Sequence, residues 1–165
     1  MKKICGLFLV GSLVSLAGAD ITKDQAMKVI TATDKAISTK NIAAIDGLLA
    51  KGFVYISFQE ARQDRKTTID QLRELTANSV SISSTSKFLK FGKSAQGTFA
   101  EVSSVTKIKL KPNAQGKSDT IVVSDSSRQF VVQEGGTLKV KMIRAISPQK
   151  VLMNGKPMPT TPPKK

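Results

Sequence analysis

The amino-acid sequence predicts an α+β fold in which three N-terminal helices pack on a strongly curved antiparallel sheet. Up to about residue 78, apolar residues recur at the spacing of amphipathic helices. From Val80 onward they recur at every second position over four long segments, as in half-buried strands. Short connections that contain glycine separate these segments and are typical of hairpins. The chain has 165 residues, which favours one domain with a single core.

The first nineteen residues have the three parts of a secretory signal peptide. Lys2 and Lys3 precede an apolar run over residues 4–16, and residues 17–19 read Ala-Gly-Ala. The run is too short to cross a bilayer as a helix. We therefore expect cleavage after Ala19 and a periplasmic or secreted protein. Cys5 precedes nearly all of the apolar run, so lipidation is not expected.

Composition excludes much of the usual catalytic chemistry. The chain has no histidine and one cysteine, and that cysteine lies in the predicted signal peptide. A Ser-His-Asp triad, a Cys-His pair and a histidine zinc site are therefore excluded within the mature chain. The sequence indicates no catalytic residue, no cofactor and no metal site. Acid–base chemistry by carboxylates or a lysine stays open.

The helices are placed by their capping residues as well as by periodicity. The first is expected over residues 22–38, where Thr22 and Gln25 form a capping box. The second begins at Asn41 as N-cap and runs through Leu49, with Gly52 beyond its end. A third helix is expected from Thr67 to about residue 78.

The strands follow from β-branched and aromatic residues with a period of two. A short strand over residues 53–58 is followed by a polar loop over residues 59–66. Four long strands are expected at residues 80–92, 98–111, 119–133 and 137–146. The domain is placed at residues 20–147, and residues 148–165 form a tail rich in proline and lysine that carries one turn signal, Asn154-Gly155.

This order of elements resembles the nuclear transport factor 2-like superfamily, which includes SnoaL-like and ketosteroid isomerase-like proteins. The resemblance rests on residues 26–37, on residues 40–55 and on the last hairpin at residues 130–142. It implies a cone with a pocket between the helices and the concave sheet face, and dimerisation through the sheet. Isomerase-like members would place an aspartate base in the loop after the first strand. Here that loop holds Glu60 and Asp64, without the isomerase sequence, and we interpret both as solvated charges.

Lysines on two predicted strands suggest a surface for an acidic partner. The formal net charge is +14, and alternation on the strands places Lys107, Lys109, Lys139 and Lys141 on one sheet face. An envelope anion such as a lipopolysaccharide phosphate, an acidic polysaccharide, an anionic membrane or an acidic protein would fit this surface. Nucleic acid is not expected, because stacking aromatics and arginines are sparse among the lysines. The alternative is that the lysines only cover an exposed face.

The function expected from the sequence is noncatalytic binding in the bacterial envelope. Alternation places Arg144 on the same face as the apolar Leu138, Val140 and Met142, where it would need Glu101, Asp125 or a ligand carboxylate as a partner. The candidate ligand-binding residues are Tyr55, Arg144, Glu101 and Asp125. One alternative is a pocket enzyme of isomerase, dehydratase or hydrolase type that uses Glu60, Asp64, Glu101 or Asp125. An assembly subunit with a large apolar patch is the other.

Overall fold

The computed structural model describes residues 20–158. The predicted signal peptide and residues 159–165 of the predicted tail lie outside the described residues. The elements in chain order are α1 (Lys23–Ser38), α2 (Ile42–Leu48), β1 (Leu49–Ile56), β2 (Arg62–Asp64), α3 (Arg65–Asn78), β3 (Ser79–Ser94), β4 (Gly97–Leu110), β5 (Thr120–Glu134), β6 (Thr137–Ala145), β7 (Lys150–Met153) and β8 (Lys156–Pro157).

The helix starts follow local capping chemistry. At α1 the predicted capping box is present, since the Gln25 N–H donates to Thr22 Oγ1 at 3.3 Å and the Thr22 N–H donates to Gln25 Oε1 at 2.9 Å. Asn41 caps α2 as expected. The start of α3 differs from the prediction, because the Asp64 carboxylate accepts from the Thr67 N–H at 2.8 Å and is itself the N-cap.

The end of α2 was also predicted wrongly. The helix stops at Leu48 and the chain enters β1 directly, so Gly52 lies inside the strand rather than after a helix. β1 is therefore longer at its start than the predicted strand, and its last residue is Ile56 rather than Phe58. Part of the predicted loop is the short strand β2, which pairs with the end of β1.

The sheet has the predicted curved and mostly antiparallel form. Its strands lie in the order β2-β1-β6-β5-β4-β3, and the pairs from β3 to β6 are antiparallel neighbours in sequence. β1 pairs in parallel with β6. β7 continues beyond the end of β6 and pairs with β5, so the sheet extends past Ser147 into the segment assigned to the tail. The Asn154-Gly155 turn closes the β7–β8 hairpin with positive φ at both residues.

One extra residue in β6 changes which sheet face the side chains of the second half of that strand point to. Phe130 of β5 pairs with Met142 and the next residue, Val131, pairs with Val140, which leaves Lys141 as a β-bulge. Leu138 and Val140 therefore face α1, whereas Met142 and Arg144 point to the opposite, convex face. The prediction that Leu138 and Val140 share one face with Arg144 is wrong, whereas Met142 does share it.

The core lies between α1 and the concave face. Ala26 and Ile30 of α1 pack with buried residues of the central strands, among them Val102, Val131 and Val140, and Phe53 of β1 joins the same cluster. No helix in residues 20–158 has both the length and the apolar run needed to cross a membrane.

Candidate ligand pocket

A cavity of about 170 Å³ lies between α1 and the concave face of the sheet. Ten of its thirteen lining residues are polar, although more of its exposed wall area is apolar than polar. The lining residues are Ile30, Thr33, Asp34 and Ile37 of α1, Tyr55 of β1, Ser84 and Ser86 of β3, Ser104 and Thr106 of β4, Asp125, Ser127 and Gln129 of β5, and Ile143 of β6. The position matches the pocket expected from the resemblance to cone-shaped proteins.

Asp34 anchors a row of hydroxyl groups that runs across β3 and β4. Its Oδ1 accepts from the Ser84 and Ser86 hydroxyls at 2.9 and 3.2 Å. Behind them, Ser84 contacts Thr106 at 3.3 Å between hydroxyl oxygens, and Ser86 contacts Ser104 at 3.0 Å. The sheet register sets both pairs, because Ser84 lies opposite Thr106 and Ser86 lies opposite Ser104.

Asp125 continues this row on β5, directly opposite Ser104. Burial raises the pKa of its carboxyl above the ordinary aspartate value. The Gln149 amide donates to its Oδ2 at 3.3 Å and opposes the effect of burial. Within residues 20–158 the carboxylate forms no ion pair.

Tyr55 and Gln129 complete the polar wall near Asp125. The pKa of the Tyr55 hydroxyl is raised, first by burial and then by the negative charge of Asp125. The Gln149 amide also lies 3.5 Å from the Tyr55 oxygen. Gln129 is 7% exposed, and its Oε1 has no hydrogen-bond partner among the described residues. A buried acceptor without a donor is rare in folded proteins.

Two of the four predicted ligand-binding residues, Tyr55 and Asp125, lie together in this cavity. The other two lie on the convex face. Arg144 pairs with Glu60 at 2.5 Å, not with Glu101 or Asp125. Glu101 pairs instead with Arg128 at 2.5 Å, and the Arg128 guanidinium stacks 4.3 Å from the centre of the Phe99 ring. The bulge at Lys141 is the physical reason, because it turns Arg144 away from the pocket.

The four predicted anion-binding lysines do not form one cluster. Lys107 lies opposite Val122 of β5 and Lys109 opposite Thr120, whereas Lys139 lies opposite Val132. At ~3.3 Å per residue, positions 122 and 132 are roughly 30 Å apart. Lys139 is also paired with Glu134 at 3.5 Å. Lys107 and Lys109 therefore cannot bind the same small anion as Lys139 and Lys141.

A second depression, of about 550 Å³, lies outside the cone between β1 and α3. Its charged rim is occupied by ion pairs that join Arg65 to Asp46 and Asp70 to both Lys66 and Arg73. Asp64 lies here as the cap of α3. This surface is larger and more open than the cone cavity, and five of its seven charged side chains pair with one another, although Arg65 Nε has no hydrogen-bond partner among the described residues. The cone cavity, where two carboxylates have no ion pair in the described chain, is the better candidate site.

Sequence reasoning missed Asp34, Gln129 and the hydroxyl row. A signal for Asp34 was present, because it lies four residues after Ile30 and three before Ile37 on the apolar stripe of α1. The alternating Ser84 and Ser86 gave the second signal, since their shared parity places both on one face. Among residues 20–158 no three acidic side chains form a group that could hold a metal ion.

Comparison with known proteins identifies the fold. No family model and no curated protein matches the sequence. A solved structure of a Kribbella flavida protein is similar with a TM-score of 0.63 and 7% identity, covering 77% of this chain and 91% of that chain. A Xanthomonas campestris protein provisionally named a polyketide cyclase gives 0.53 and 14%, covering 74% and 89%. A Streptomyces avermitilis protein provisionally named a dehydratase of the nuclear transport factor 2-like family gives 0.50 and 13%, covering 74% and 93%.

This chain has the nuclear transport factor 2-like fold. The resemblance inferred from the sequence is therefore confirmed at the level of the fold. Because all these identities are low and one fold of this kind serves many purposes, the fold by itself assigns no activity.

Proposed function

We propose that this chain is an exported, noncatalytic protein of the bacterial envelope that binds a small polar ligand in the cone cavity. The observation that carries the proposal is a cavity between α1 and the sheet that is lined mainly by polar residues and is incompletely hydrogen-bonded. In the described residues Gln129 Oε1 has no partner and Asp125 forms no ion pair. Polar groups buried without full partners are costly, and ligand sites are where proteins keep them.

The size of the cavity limits the ligand. An engineered cavity of about 150 Å³ holds benzene, so a cavity of about 170 Å³ accepts roughly six to eight non-hydrogen atoms. A steroid or an oligosaccharide would have to extend outside the cavity. The ligand we propose is therefore a small metabolite-sized compound.

The test is to fill the cavity with a larger side chain on β4 and to measure ligand binding. In Ser104→Leu the larger side chain enters the cavity, whereas in Ser103→Leu the neighbouring residue of the same strand places it on the convex face. Ligand-observed NMR with a mixture of amines, polyols and carboxylates of six to eight heavy atoms should detect binding to the wild type and to Ser103→Leu. Binding should be lost in Ser104→Leu. Equal binding to both variants, or no binding to the wild type, contradicts the proposal.

Export is tested separately. The protein should be found in the envelope or the medium with Asp20 as its first residue, as measured by intact mass. A chain that keeps Met1 in that fraction contradicts cleavage after Ala19.

A second candidate is an enzyme that uses Asp125 as a general acid or base. The raised pKa of Asp125 and the nearby Tyr55 hydroxyl favour it, because such shifts are common among catalytic carboxylates. Turnover of a bound compound that is abolished by Asp125→Asn, with binding retained, would support the enzyme. Recovery of every bound compound unchanged supports the binding protein.

A further inference from the structure

We propose that the cone cavity selects a small organic ammonium compound, held between Asp34 and Asp125. This inference rests on the proposed ligand-binding function and gives the chemical class of the ligand. The first observation is the sign of the charge. Among residues 20–158 the cavity is lined by two carboxylates and by no lysine or arginine, although the whole chain carries a formal net charge of +14.

The second observation is that the hydroxyl hydrogens along one wall are already committed. A serine or threonine hydroxyl has a single hydrogen. Ser84 and Ser86 donate theirs to Asp34, so Thr106 and Ser104 must donate to Ser84 and Ser86 in turn. Thr33 donates its hydrogen to the Val29 carbonyl at 3.0 Å. These five hydroxyls can therefore only accept from a ligand.

The third observation is independent of the carboxylates. Gln129 is more than nine-tenths buried on the cavity wall, and its Oε1 lacks a donor among the described residues. The side-chain donors left on the wall are the hydroxyls of Tyr55 and Ser127 and the amide of Gln129. Unused acceptors thus predominate, and a group with several N–H donors and a positive charge complements them best.

The two carboxylates also have a spacing that a diammonium compound can use. Ser86, Ser104 and Asp125 are successive register partners on three adjacent strands, so Ser86 and Asp125 are roughly 10 Å apart along the sheet at ~4.8 Å per strand. Asp34 is bonded to Ser86 and faces the same cavity. A compound such as 1,4-diaminobutane has six non-hydrogen atoms and a charge at each end, and it fits the volume as well as the charges.

The experiment compares three probes of equal length. 1,4-Diaminobutane, 1,4-butanediol and succinate are titrated into the purified protein, with Tyr55 fluorescence and calorimetry as readouts, since Tyr55 is the only tyrosine and the chain has no tryptophan. We expect the diamine to bind at least tenfold more tightly than the diol and succinate to bind least. Asp125→Asn should weaken diamine binding by about tenfold to a hundredfold.

Glu74→Gln is the matched control, because it removes one exposed carboxylate from α3, away from the cavity. It should leave the affinity unchanged. Asp34→Asn should weaken binding like Asp125→Asn, and its melting curve shows whether loss of the hydroxyl row has altered the fold.

The outcomes separate the two proposals. Tighter binding of the diol or succinate than of the diamine, abolished by Ser104→Leu, overturns the ammonium ligand and leaves the pocket-binding function standing. Full diamine affinity in Asp125→Asn also overturns it. Absence of binding by all three probes and by the NMR mixture overturns both.

Discussion

Replacing Asp125 with asparagine should make the protein more stable at neutral pH. Because burial raises the pKa of Asp125, its ionised form is less favourable in the folded chain than in the unfolded chain. Asparagine has the same shape, has no charge and keeps an oxygen to accept from the Gln149 amide. The variant therefore removes an unfavourable charge without removing the hydrogen bond.

The gain should be modest. Single stabilising substitutions commonly add ~0.5–2 kcal/mol to the free energy of unfolding. Asp125 is only partly buried, so solvent screens its charge, and we place the gain at ~0.5–1 kcal/mol. For a chain of this size, that corresponds to a rise in Tm of roughly 1–4 °C.

The pH dependence gives the sharper test. Below about pH 3.9, the ordinary aspartate pKa, Asp125 is protonated in both the folded and the unfolded chain. As the pH rises, the unfolded chain releases its proton first, and the wild type loses stability relative to Asp125→Asn until the raised folded pKa is passed. Chemical unfolding from pH 3 to pH 7 should therefore show an advantage of the variant that is present at pH 7 and disappears toward pH 3.

Asp70 supplies a control of opposite sign. Its pKa is lowered, chiefly by the hydrogen bond from Lys66, so Asp70→Asn should reduce stability at pH 7, and this loss should become smaller as the pH falls toward 3. A lower stability of Asp125→Asn than of the wild type at pH 7, or an advantage that grows as the pH falls, would refute the argument that burial disfavours the Asp125 charge.

Three further predictions concern the Tyr55 hydroxyl, the bulge at Lys141 and the close approach of Gly92 to Phe99. Absorbance titration of the single tyrosine should give a pKa for Tyr55 above 10. Asp125→Asn should lower that pKa only in part, because burial is the larger cause of the shift. An unchanged pKa in the variant would contradict an effect of the Asp125 charge on Tyr55. Deleting Lys141 should abolish folding as judged by circular dichroism, because the deletion turns Leu138 and Val140 out of the core. As a control, Lys141→Ala should melt within about 1 °C of the wild type. A folded deletion variant would mean that the bulge does not set the register. Gly92→Ala should lower the free energy of unfolding by ~1–3 kcal/mol, as measured with denaturant, because a Cβ at this position would lie 2.8 Å from the Phe99 ring. An unchanged free energy of unfolding would show that the Phe99 ring moves aside at no cost.

The sequence predicted those parts of the fold that depend on local chemistry. The capping box at Thr22 is complete within four residues, and alternation along β3 and β4 needs no knowledge of the partner strand. The start of α3 was missed because Asp64 and Thr67 are both good caps, and the Asp64 carboxylate reaches the Thr67 N–H. Local pattern cannot choose between two such residues.

The site was only half predictable, because its position depends on register. Tyr55 and Asp125 were correctly placed in the pocket. Arg144 was placed on the wrong face, because the one-residue bulge at Lys141 follows from the pairing of β6 with β5 and not from β6 alone. The same pairing decides that Lys139 lies far from Lys107. The sequence of one strand assigns its residues to two alternating faces, but only the pairing within the sheet shows where a bulge reverses that assignment.

Stability and binding at Asp125 should change together if the cavity is a site. A half-buried carboxylate without an ion pair in the described chain is unfavourable for folding, and a basic protein has many lysines that could have neutralised it. If the charge serves a ligand, Asp125→Asn gains stability and loses affinity for 1,4-diaminobutane, which is the exchange typical of functional sites. If the variant gains stability and keeps its affinity, the charge serves neither folding nor this ligand, and the catalytic alternative becomes the better explanation of why the carboxylate lies in the cone.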